Sequence, residues 1–234
     1  MSLTVRHNNY ITKSDFFFVE EDNYDEHIEL AIPFYLQMHE EMVRFLPANP
    51  DLKVLDLGTG TGKTAEYVFK HAPGATLVGI DLFDEMLNRA KDRLNAYQSQ
   101  IKLIKGDFRT EDIGYNYDAC VTALALHHLL PTEKKTLFRQ IYGALKPGGV
   151  FVMIDWTKFS TTKAQQLAEQ TAIAHAKNTV DEEAIVFKWA HHWKYKNIPN
   201  TVEEMQSWLL NAGFLTADCV FRYYGMSLII AQRP

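Results

Sequence analysis

Hydrophobic positions follow two different patterns along this chain of 234 residues. Between residues 23 and 45 they are three and four apart, which is the spacing of one helical face. Pro33 falls inside this stretch and is expected to kink the helix or to divide it in two. From residue 53 onward, short apolar runs alternate with helical segments. This alternation predicts right-handed crossovers and a parallel sheet that is covered on both faces.

The predicted strands of this sheet are KVLDL, ATLVGID, IKLIKGD, YDACVTALAL and VFVMIDW. Helices are predicted between them, and the last, PTEKKTLFRQIYGALKPGG, is expected to run up to its Gly-Gly pair. Residues 157–200 are helical, aromatic and charged, so we expect them to cover the carboxyl edge of the sheet. A helix in TVEEMQSWLLNAGF and a β-pair around Gly225 then close the chain.

Composition narrows the possible partners to small molecules. A hydrophobic content of 47% suffices for one substantial core, and hence for one domain. A net charge of -5, without a cluster of basic residues, argues against nucleic acid, which requires a basic face. No stretch approaches the roughly 18 apolar residues of a membrane span, and the N-terminus lacks the apolar core of a secretion signal. We therefore expect a cytoplasmic protein with no membrane partner, in which Cys120 and Cys219 are reduced, buried thiols.

The segment VLDLGTGTGKT, residues 54–64, carries the first candidate chemistry. A phosphate-binding P-loop would need glycine at position 57, where this chain has Leu57. The positions of Gly60, Gly62 and Ala65 fit a dinucleotide-binding loop only loosely. Asp56 at the end of the strand would repel a pyrophosphate, but it suits a cofactor that has an ammonium group and no phosphate. The glycine loop, residues 58–62, is therefore predicted to bind S-adenosyl-L-methionine.

Carboxylates at the ends of the next two predicted strands support this cofactor. Asp81 follows Gly62 by 19 residues, and a carboxylate at this position can accept hydrogen bonds from both ribose hydroxyls. The ribose of NAD could bind to such a carboxylate equally well. In the sequence Gly106-Asp107-Phe108, Asp107 could accept from the adenine amino group and Phe108 could cover the ring. Any one of these aspartates could instead cap a helix or a turn. Three carboxylates at successive strand ends favour a shared ligand.

In combination, the segments VLDLGTGTG, VGIDLFDEML, KGDF, YDACVTALALHHL and LKPGGVFVMID resemble the class I S-adenosylmethionine-dependent methyltransferases. The resemblance runs from about residue 24 to the C-terminus. It implies an α/β fold with a Rossmann-like, doubly wound sheet of seven strands, mostly parallel with an antiparallel last strand. The single domain would comprise an N-terminal helical lid (1–50), a cofactor-binding core (51–156), a helical cap inserted after strand five (157–200), and a C-terminal helix and β-hairpin (201–234).

The loop glycines, Asp81, and Asp107 with Phe108 match the cofactor site of that family. The complete set of predicted cofactor-binding residues is Asp56, Gly58, Thr59, Gly60, Gly62, Asp81, Leu82, Met86, Gly106, Asp107, Phe108 and Ala123.

Within the family, NYDEHIELAIPFYLQM and the C-terminal segment WLLNAGFLTADCVFRYYGMSLIIAQ resemble the carboxy-S-adenosylmethionine synthases, which modify the cofactor instead of methylating an acceptor. The glycine-rich GTGTGKT and the two histidines of ALHHL depart from that group. We therefore favour methyl transfer to a small-molecule acceptor. A synthase-like activity and a non-catalytic protein that binds the cofactor are the alternatives, and the sequence is compatible with a homodimer.

Methyl transfer is an in-line displacement, to which positioning contributes most of the acceleration. His127 and His128 are the candidate bases by topology; alternatively, they orient the cofactor or cap a turn. Predicted acceptor-binding residues are Tyr24, Tyr35, Trp156, Trp189, His192 and Trp193. These aromatic side chains could equally pack the cap onto the sheet. No metal site is expected, because the adjacent His191 and His192 would point away from each other on a helix.

Overall fold

The computed structural model describes residues 23–180 and 183–234, without the side chains of residues 183–185, 189 and 193–195. Residues 1–22 of the predicted lid lie outside this range. The described helices are α1 (Tyr24–Ala31), α2 (Tyr35–Arg44), α3 (Lys63–His71), α4 (Asp84–Arg93), α5 (Pro131–Ala144), α6 (Thr162–Thr179), α7 (Glu183–Lys196) and α8 (Val202–Ala212). The described strands are β1 (Lys53–Leu57), β2 (Thr76–Asp81), β3 (Ile101–Lys105), β4 (Tyr117–Ala123), β5 (Leu145–Lys158), β6 (Asn200–Thr201), β7 (Thr216–Tyr223) and β8 (Met226–Gln232).

The main sheet has the strand order β3-β2-β1-β4-β5-β8-β7, and the short β6 pairs with β5. The pairs among β1 to β5 are parallel, whereas β8 is antiparallel to both β5 and β7. The predicted Rossmann-like sheet with an antiparallel last strand is thus confirmed. The strand order reverses between β1 and β4, and the carboxyl ends beside such a switch point form a crevice where doubly wound sheets bind ligands.

Strand alternation separates the core into two layers, one on each face of the sheet. Val54 of β1 packs in the layer beneath α2 and α3, and Leu55 packs in the layer beneath α5 and α8. Both side chains are fully buried. Burial on both faces explains why the central strands are continuous apolar runs, and it makes β1 a rigid support for the loop that follows it.

Two predicted element boundaries change in the structure, whereas the division of the first helix is one of the two outcomes that were predicted for Pro33. Pro33 divides the first helix into α1 and α2, with Phe34 at a φ of 60° between them. The predicted helix before the Gly-Gly pair is present as α5, but it ends at Ala144, where the guanidinium of Arg233 donates to the carbonyl of Tyr142 at 2.8 Å. The predicted fourth strand also ends earlier, at Ala123, because Leu124 has a φ of 57° and turns the chain.

Two further observations concern composition. Within residues 23–180 and 183–234, no helix combines the length and the apolarity that crossing a bilayer requires. Cys120 and Cys219 are free thiols; Cys120 is buried as predicted, whereas Cys219 is only half-buried.

Candidate active site at the carboxyl edge of the sheet

A cavity lies at the carboxyl ends of the central strands, and we call it the carboxyl-edge cavity. Residues of α1 and α2 cover it on one side, and residues that follow β4 and β5 line the other. The predicted site residues that line it are Tyr24, Tyr35, Gly58, Thr59, Gly60, Asp81, Leu82, Met86, Gly106, Asp107, Phe108, Ala123, His127, His128, Trp156 and His192. The structure thus brings together segments that are separated by most of the chain.

The glycine loop passes close to the chain that follows β4. Gly58 has a φ of 70°, and a Cβ atom there would lie 2.6 Å from the Cβ of Ala125. Glycine is therefore required at this position both for its conformation and for the close approach. The backbone amides of Gly58 and Thr59 donate to the carbonyl of Ile80 at 2.9 and 3.1 Å, so the loop is fixed to the end of β2.

Asp81 joins this loop to the cavity. Its Oδ2 accepts from the amide of Gly60 at 2.8 Å, and its Oδ1 accepts from the amide of Phe83 at 3.0 Å. Burial raises the pKa of Asp81, and these backbone hydrogen bonds offset only part of the increase. The carboxylate is held by the backbone, and its remaining lone pairs can accept hydrogen bonds from a ligand in the cavity.

Two of the predicted cofactor-binding residues do not line the cavity. Asp56 does not reach the cavity, because its fully buried side chain lies beneath the loop, where Oδ2 accepts from the Thr59 hydroxyl at 2.6 Å. Burial raises the pKa of Asp56 to about 7, so it is not the fixed negative charge that the prediction required. Gly62 does not line the cavity either; a Cβ there would lie 2.8 Å from Leu94, so this glycine permits α3 to pack against the end of α4.

Arg109 is a lining residue that the sequence analysis missed. Its Nε donates to Oδ1 of Asp107 at 2.9 Å, and its Nη1 donates to Oε1 of Glu133 at 2.7 Å. Burial raises the pKa of Asp107, but the hydrogen bonds and charge of Arg109 outweigh it and hold the pKa below its usual value. The carboxylate predicted to meet adenine is thus ionised and held in one orientation. The signal for this pair in the sequence was its spacing, with an arginine two residues after the aspartate.

His127 is paired with Asp155, which the sequence analysis also did not assign to the site. The Nδ1 of His127 is hydrogen-bonded to Oδ1 of Asp155, and both side chains are buried. Oδ2 of Asp155 accepts from the backbone amides of Leu126 at 2.8 Å and of His127 at 3.0 Å. These bonds form the short turn at Leu126–His128 and explain why β4 ends at Ala123. They also fix the imidazole at the edge of the carboxyl-edge cavity.

His128 and His192 lie next to His127, and the three rings form a cluster. The ring centroids of His127 and His128 are 4.0 Å apart, and those of His128 and His192 are 5.3 Å apart in an edge-on arrangement. Burial, together with the neighbouring His127, His192 and Lys134, holds the pKa of His128 well below its ordinary value. His128 is therefore neutral near pH 7.

Polar contacts fasten α1 over the glycine loop. The Thr61 hydroxyl donates to Oδ1 of Asp25 at 2.6 Å, and Nη2 of Arg93 donates to Oδ2 of Asp25 at 2.8 Å. Lys63 forms an ion pair with Glu29 at 2.5 Å. These contacts place Tyr24 on the cavity wall, and burial raises the pKa of its phenol well above the ordinary value, so it is a neutral hydrogen-bonding group.

The predicted acceptor residues are only partly described. Tyr24, Tyr35, Trp156 and His192 line the cavity, as stated above, whereas the side chains of Trp189 and Trp193 lie outside the described residues. In the part of the chain that is described, no three His, Cys, Asp or Glu side chains are grouped as metal ligands would be.

The comparisons with known proteins agree with this geometry. The family profile described as "Methyltransferase domain" matches residues 54–149. The carboxy-S-adenosyl-L-methionine synthase of Nautilia profundicola is 26% identical over 211 residues, which cover 89% of each chain. The synthase of the same name from Campylobacter fetus is 25% identical over 224 residues, again covering 89% of each chain.

Solved structures share the fold at lower identity. Human N-acetylserotonin methyltransferase in complex with S-adenosylmethionine has a TM-score of 0.57 at 18% identity, and the match covers 90% of this chain and 57% of that one. The O-methyltransferase family 2 protein of Planctomyces limnophilus in complex with apigenin has a TM-score of 0.64 at 18% identity, covering 92% and 63%. This chain therefore spans about three fifths of the length of these structures.

The residues of the cavity fit S-adenosylmethionine, which is bound in the structure of human N-acetylserotonin methyltransferase. Asp81 and Asp107 present carboxylates, Phe108 presents an apolar ring, and the lining cations Lys63 and Arg109 are already paired with carboxylates, so a pyrophosphate would lack a counter-charge. The fold, the motifs and the profile match over residues 54–149 support a class I S-adenosylmethionine-dependent methyltransferase, with S-adenosyl-L-methionine as its cofactor.

Proposed function

We propose that this enzyme transfers a methyl group in line to a small-molecule acceptor in the carboxyl-edge cavity, with His127 as the general base. The observation that carries the proposal is the buried pair of His127 and Asp155, of which His127 lines the cavity. When bound, S-adenosyl-L-methionine supplies a methyl group on a sulfonium that is already activated for displacement. The protein then has to orient the acceptor, exclude water and remove one proton.

Asp155 fixes the imidazole for this task. Its carboxylate accepts from Nδ1 of His127 and from backbone amides on both sides, including that of Trp156 at 2.7 Å. With Nδ1 committed as a donor, Nε2 is the nitrogen that can accept a proton. The proton of the acceptor's hydroxyl or amine would pass to Nε2 of His127, and Asp155 would stabilise the resulting imidazolium.

His128 is the weaker candidate for the base. Its pKa lies well below the ordinary value, since burial and the adjacent rings disfavour its charged form. A base whose conjugate acid is that unfavourable accepts a proton poorly at neutral pH. His128 instead separates His127 from His192 and shapes the wall between them.

A carboxy-S-adenosylmethionine synthase activity is the second candidate, because the curated relatives at 25 to 26% identity carry that name. Adding a carboxyl group to the cofactor would place a second carboxylate in the cavity, and this requires a cation nearby. Among the described lining side chains, Lys63 pairs with Glu29, and Arg109 pairs with both Asp107 and Glu133. Because both lining cations are already paired with carboxylates, methyl transfer is favoured over the synthase activity.

The proposal is tested by incubating the purified protein with methyl-labelled S-adenosylmethionine and a low-molecular-weight metabolite extract. We expect label in a metabolite fraction, and about 10²-fold less label with His127→Asn. Mass spectrometry of the ligand that co-purifies with the protein separates the alternatives. Carboxy-S-adenosylmethionine as that ligand would favour the second candidate. Cofactor binding without transfer to any fraction would indicate a non-catalytic protein.

A further inference from the structure

A second cavity adjoins the carboxyl-edge cavity, and we call it the α6–α7 cavity. It encloses about 390 Å³, within the usual range for a site that binds a small molecule. Trp156 and Asn197 line both cavities, so the two spaces meet at these side chains. A molecule in the α6–α7 cavity would therefore extend away from the part of the carboxyl-edge cavity that His127 lines.

One face of α6 forms a wall of this cavity. Its residues Gln165, Ala168, Glu169, Ala172 and Ile173 recur at helical spacing. The small side chains of Ala168 and Ala172 leave the space open, and the opposite wall on α7 includes Ala190 and Phe187. The Phe187 ring is 72% exposed. An aromatic ring this exposed on the wall of a concave site provides contact area for an apolar ligand.

The junction between the cavities is built from Trp156 and Gly225. A Cβ atom on Gly225 would lie 3.0 Å from Cε3 of the Trp156 indole, so the ring is packed against the turn between β7 and β8. The Oδ1 atom of Asn197 is buried at the same junction and has no hydrogen-bond partner among the described residues. A buried acceptor atom without a donor is unfavourable, and a ligand N–H or O–H at this point would satisfy it.

The charge on the walls restricts the ligand further. Glu169 carries a carboxylate, which accepts from the Gln165 side-chain amide at 2.9 Å and makes no ion pair with a described residue. The described part of the lining contains no Lys or Arg. An anionic ligand would lose its hydration, would meet the Glu169 carboxylate and would find no lysine or arginine in the described lining, so a neutral or cationic ligand is favoured.

From these observations we infer that the α6–α7 cavity binds the methyl acceptor. The acceptor is an apolar, non-anionic compound, and a hydroxyl or amine beside its nucleophile donates to Oδ1 of Asn197. The inference rests on the proposed function, because it gives that reaction its class of acceptor. The apolar body occupies the space between α6 and α7, and the nucleophile lies at the junction, where it reaches the carboxyl-edge cavity.

Binding of three matched probes tests this inference without any turnover. Calorimetry in the presence of S-adenosylhomocysteine would compare 2-naphthol, 2-naphthylmethylamine and 2-naphthoate. We expect the naphthol and the amine to bind, and the naphthoate to bind at least about tenfold more weakly. Glu169→Gln should reduce the difference in affinity between the naphthoate and the other two probes by a few fold. Equal or tighter binding of the naphthoate, or no binding of any probe, would overturn the inference.

Variants locate the probe. Ala172→Phe and, from the other wall, Ala190→Phe should weaken 2-naphthol at least about tenfold while the affinity for S-adenosylhomocysteine stays within twofold. Leu167→Ala on the outer face of α6 is the matched control and should change neither. Asn197→Val should weaken 2-naphthol about tenfold but leave 2-methoxynaphthalene, which has no proton to donate, unaffected. Unchanged binding of 2-naphthol to folded forms of both filled variants would place the probe elsewhere, whether or not methyl transfer occurs.

Discussion

The carboxylate of Asp81 accepts a hydrogen bond from the amide of Gly60 at 2.8 Å and thereby joins the end of β2 to the glycine loop after β1. The same carboxylate lines the carboxyl-edge cavity. One side chain can thus hold the loop and accept the ribose hydroxyls of the cofactor. Removing this side chain should therefore weaken cofactor binding in two ways, by releasing the loop and by removing an acceptor for the ribose hydroxyls.

Asp81→Ala is expected to weaken S-adenosylhomocysteine by about 2 to 4 kcal/mol, since two ribose hydroxyls and the Gly60 amide lose a charged acceptor. Calorimetry measures this loss. Asp84→Ala removes a carboxylate three residues away that is exposed and paired with Lys105, and it should leave the affinity unchanged. Equal affinity of the Asp81 variant and the wild type would mean that the ribose binds elsewhere.

The orientation of His127 by Asp155 leads to a second prediction. His127→Asn should lower kcat by about 10²- to 10⁴-fold, because the proton of the acceptor then has no base. The affinity for S-adenosylhomocysteine should stay within about twofold, since the cofactor does not depend on proton transfer. Single-turnover kinetics with the identified acceptor would measure the chemical step.

His128→Asn is the matched control for that variant, because it makes the same change in the adjacent ring. It should reduce kcat much less than His127→Asn does. A larger loss for the His128 variant would reverse the assigned roles and would make Asp155 only a structural partner of the turn.

The contact between Asp25 and Thr61 gives a third prediction, which concerns the closure of α1 over the glycine loop. Thr61→Val keeps the shape of the side chain and removes its hydrogen bond, so α1 should open more often. We expect S-adenosylhomocysteine to dissociate about tenfold faster, as measured by stopped-flow displacement. Lys70→Gln breaks an exposed ion pair on α3 and serves as the control. An unchanged dissociation rate would show that α1 does not retain the cofactor.

Local sequence predicted the parts of the site that follow directly from a strand. The glycine loop, Asp81 and the segment from Gly106 to Phe108 each come within a few residues of a strand's carboxyl end, and parallel strands bring those ends to one edge. Asp56, by contrast, lies within β1 and does not line the cavity. Its side chain alternates with its neighbours and points beneath the loop, where Thr59 holds it.

The remaining parts depend on contacts between distant residues. Asp155 and His127 are 28 residues apart, and their pairing ends β4 at a point where the apolar sequence continues. Arg233 binds the carbonyl of Tyr142 in the last turn of α5 from 91 residues away. Asn197 lies in a loop after α7 that has no periodic signal. None of these relationships has a local pattern, so the sequence alone could not predict them.

His39 provides a final prediction, on how stability depends on pH. Its ring is fully buried between α2 and α3, with Nδ1 bonded to the carbonyl of Tyr35 at 2.9 Å and Nε2 to the Thr64 hydroxyl at 3.3 Å. Burial, with a smaller contribution from the charge of Lys63, lowers the pKa of His39 to about 4, although the bond to Tyr35 opposes the shift. The folded protein therefore holds this histidine neutral.

In the unfolded chain a histidine has a pKa near 6.5, so between pH 6.5 and 4 the unfolded state binds more protons. The free energy of unfolding should accordingly decrease as the pH falls through this range. Above pH 6.5 the effect vanishes, because both states are neutral. At pH 4.5 the loss due to His39 should be about 2 to 3 kcal/mol.

His39→Gln removes this proton linkage, so its free energy of unfolding should decrease less than that of the wild type between pH 7.5 and 4.5. Urea titrations at pH 7.5, 5.5 and 4.5 measure the difference. The raised pKa of Asp56 acts with the opposite sign in the same range, but it is present in both proteins and cancels. His71→Gln, at an exposed position on α3, should follow the wild type. Parallel curves for the wild type and the His39 variant would show that the folded protein accommodates the charged ring, with water reaching α2 and α3.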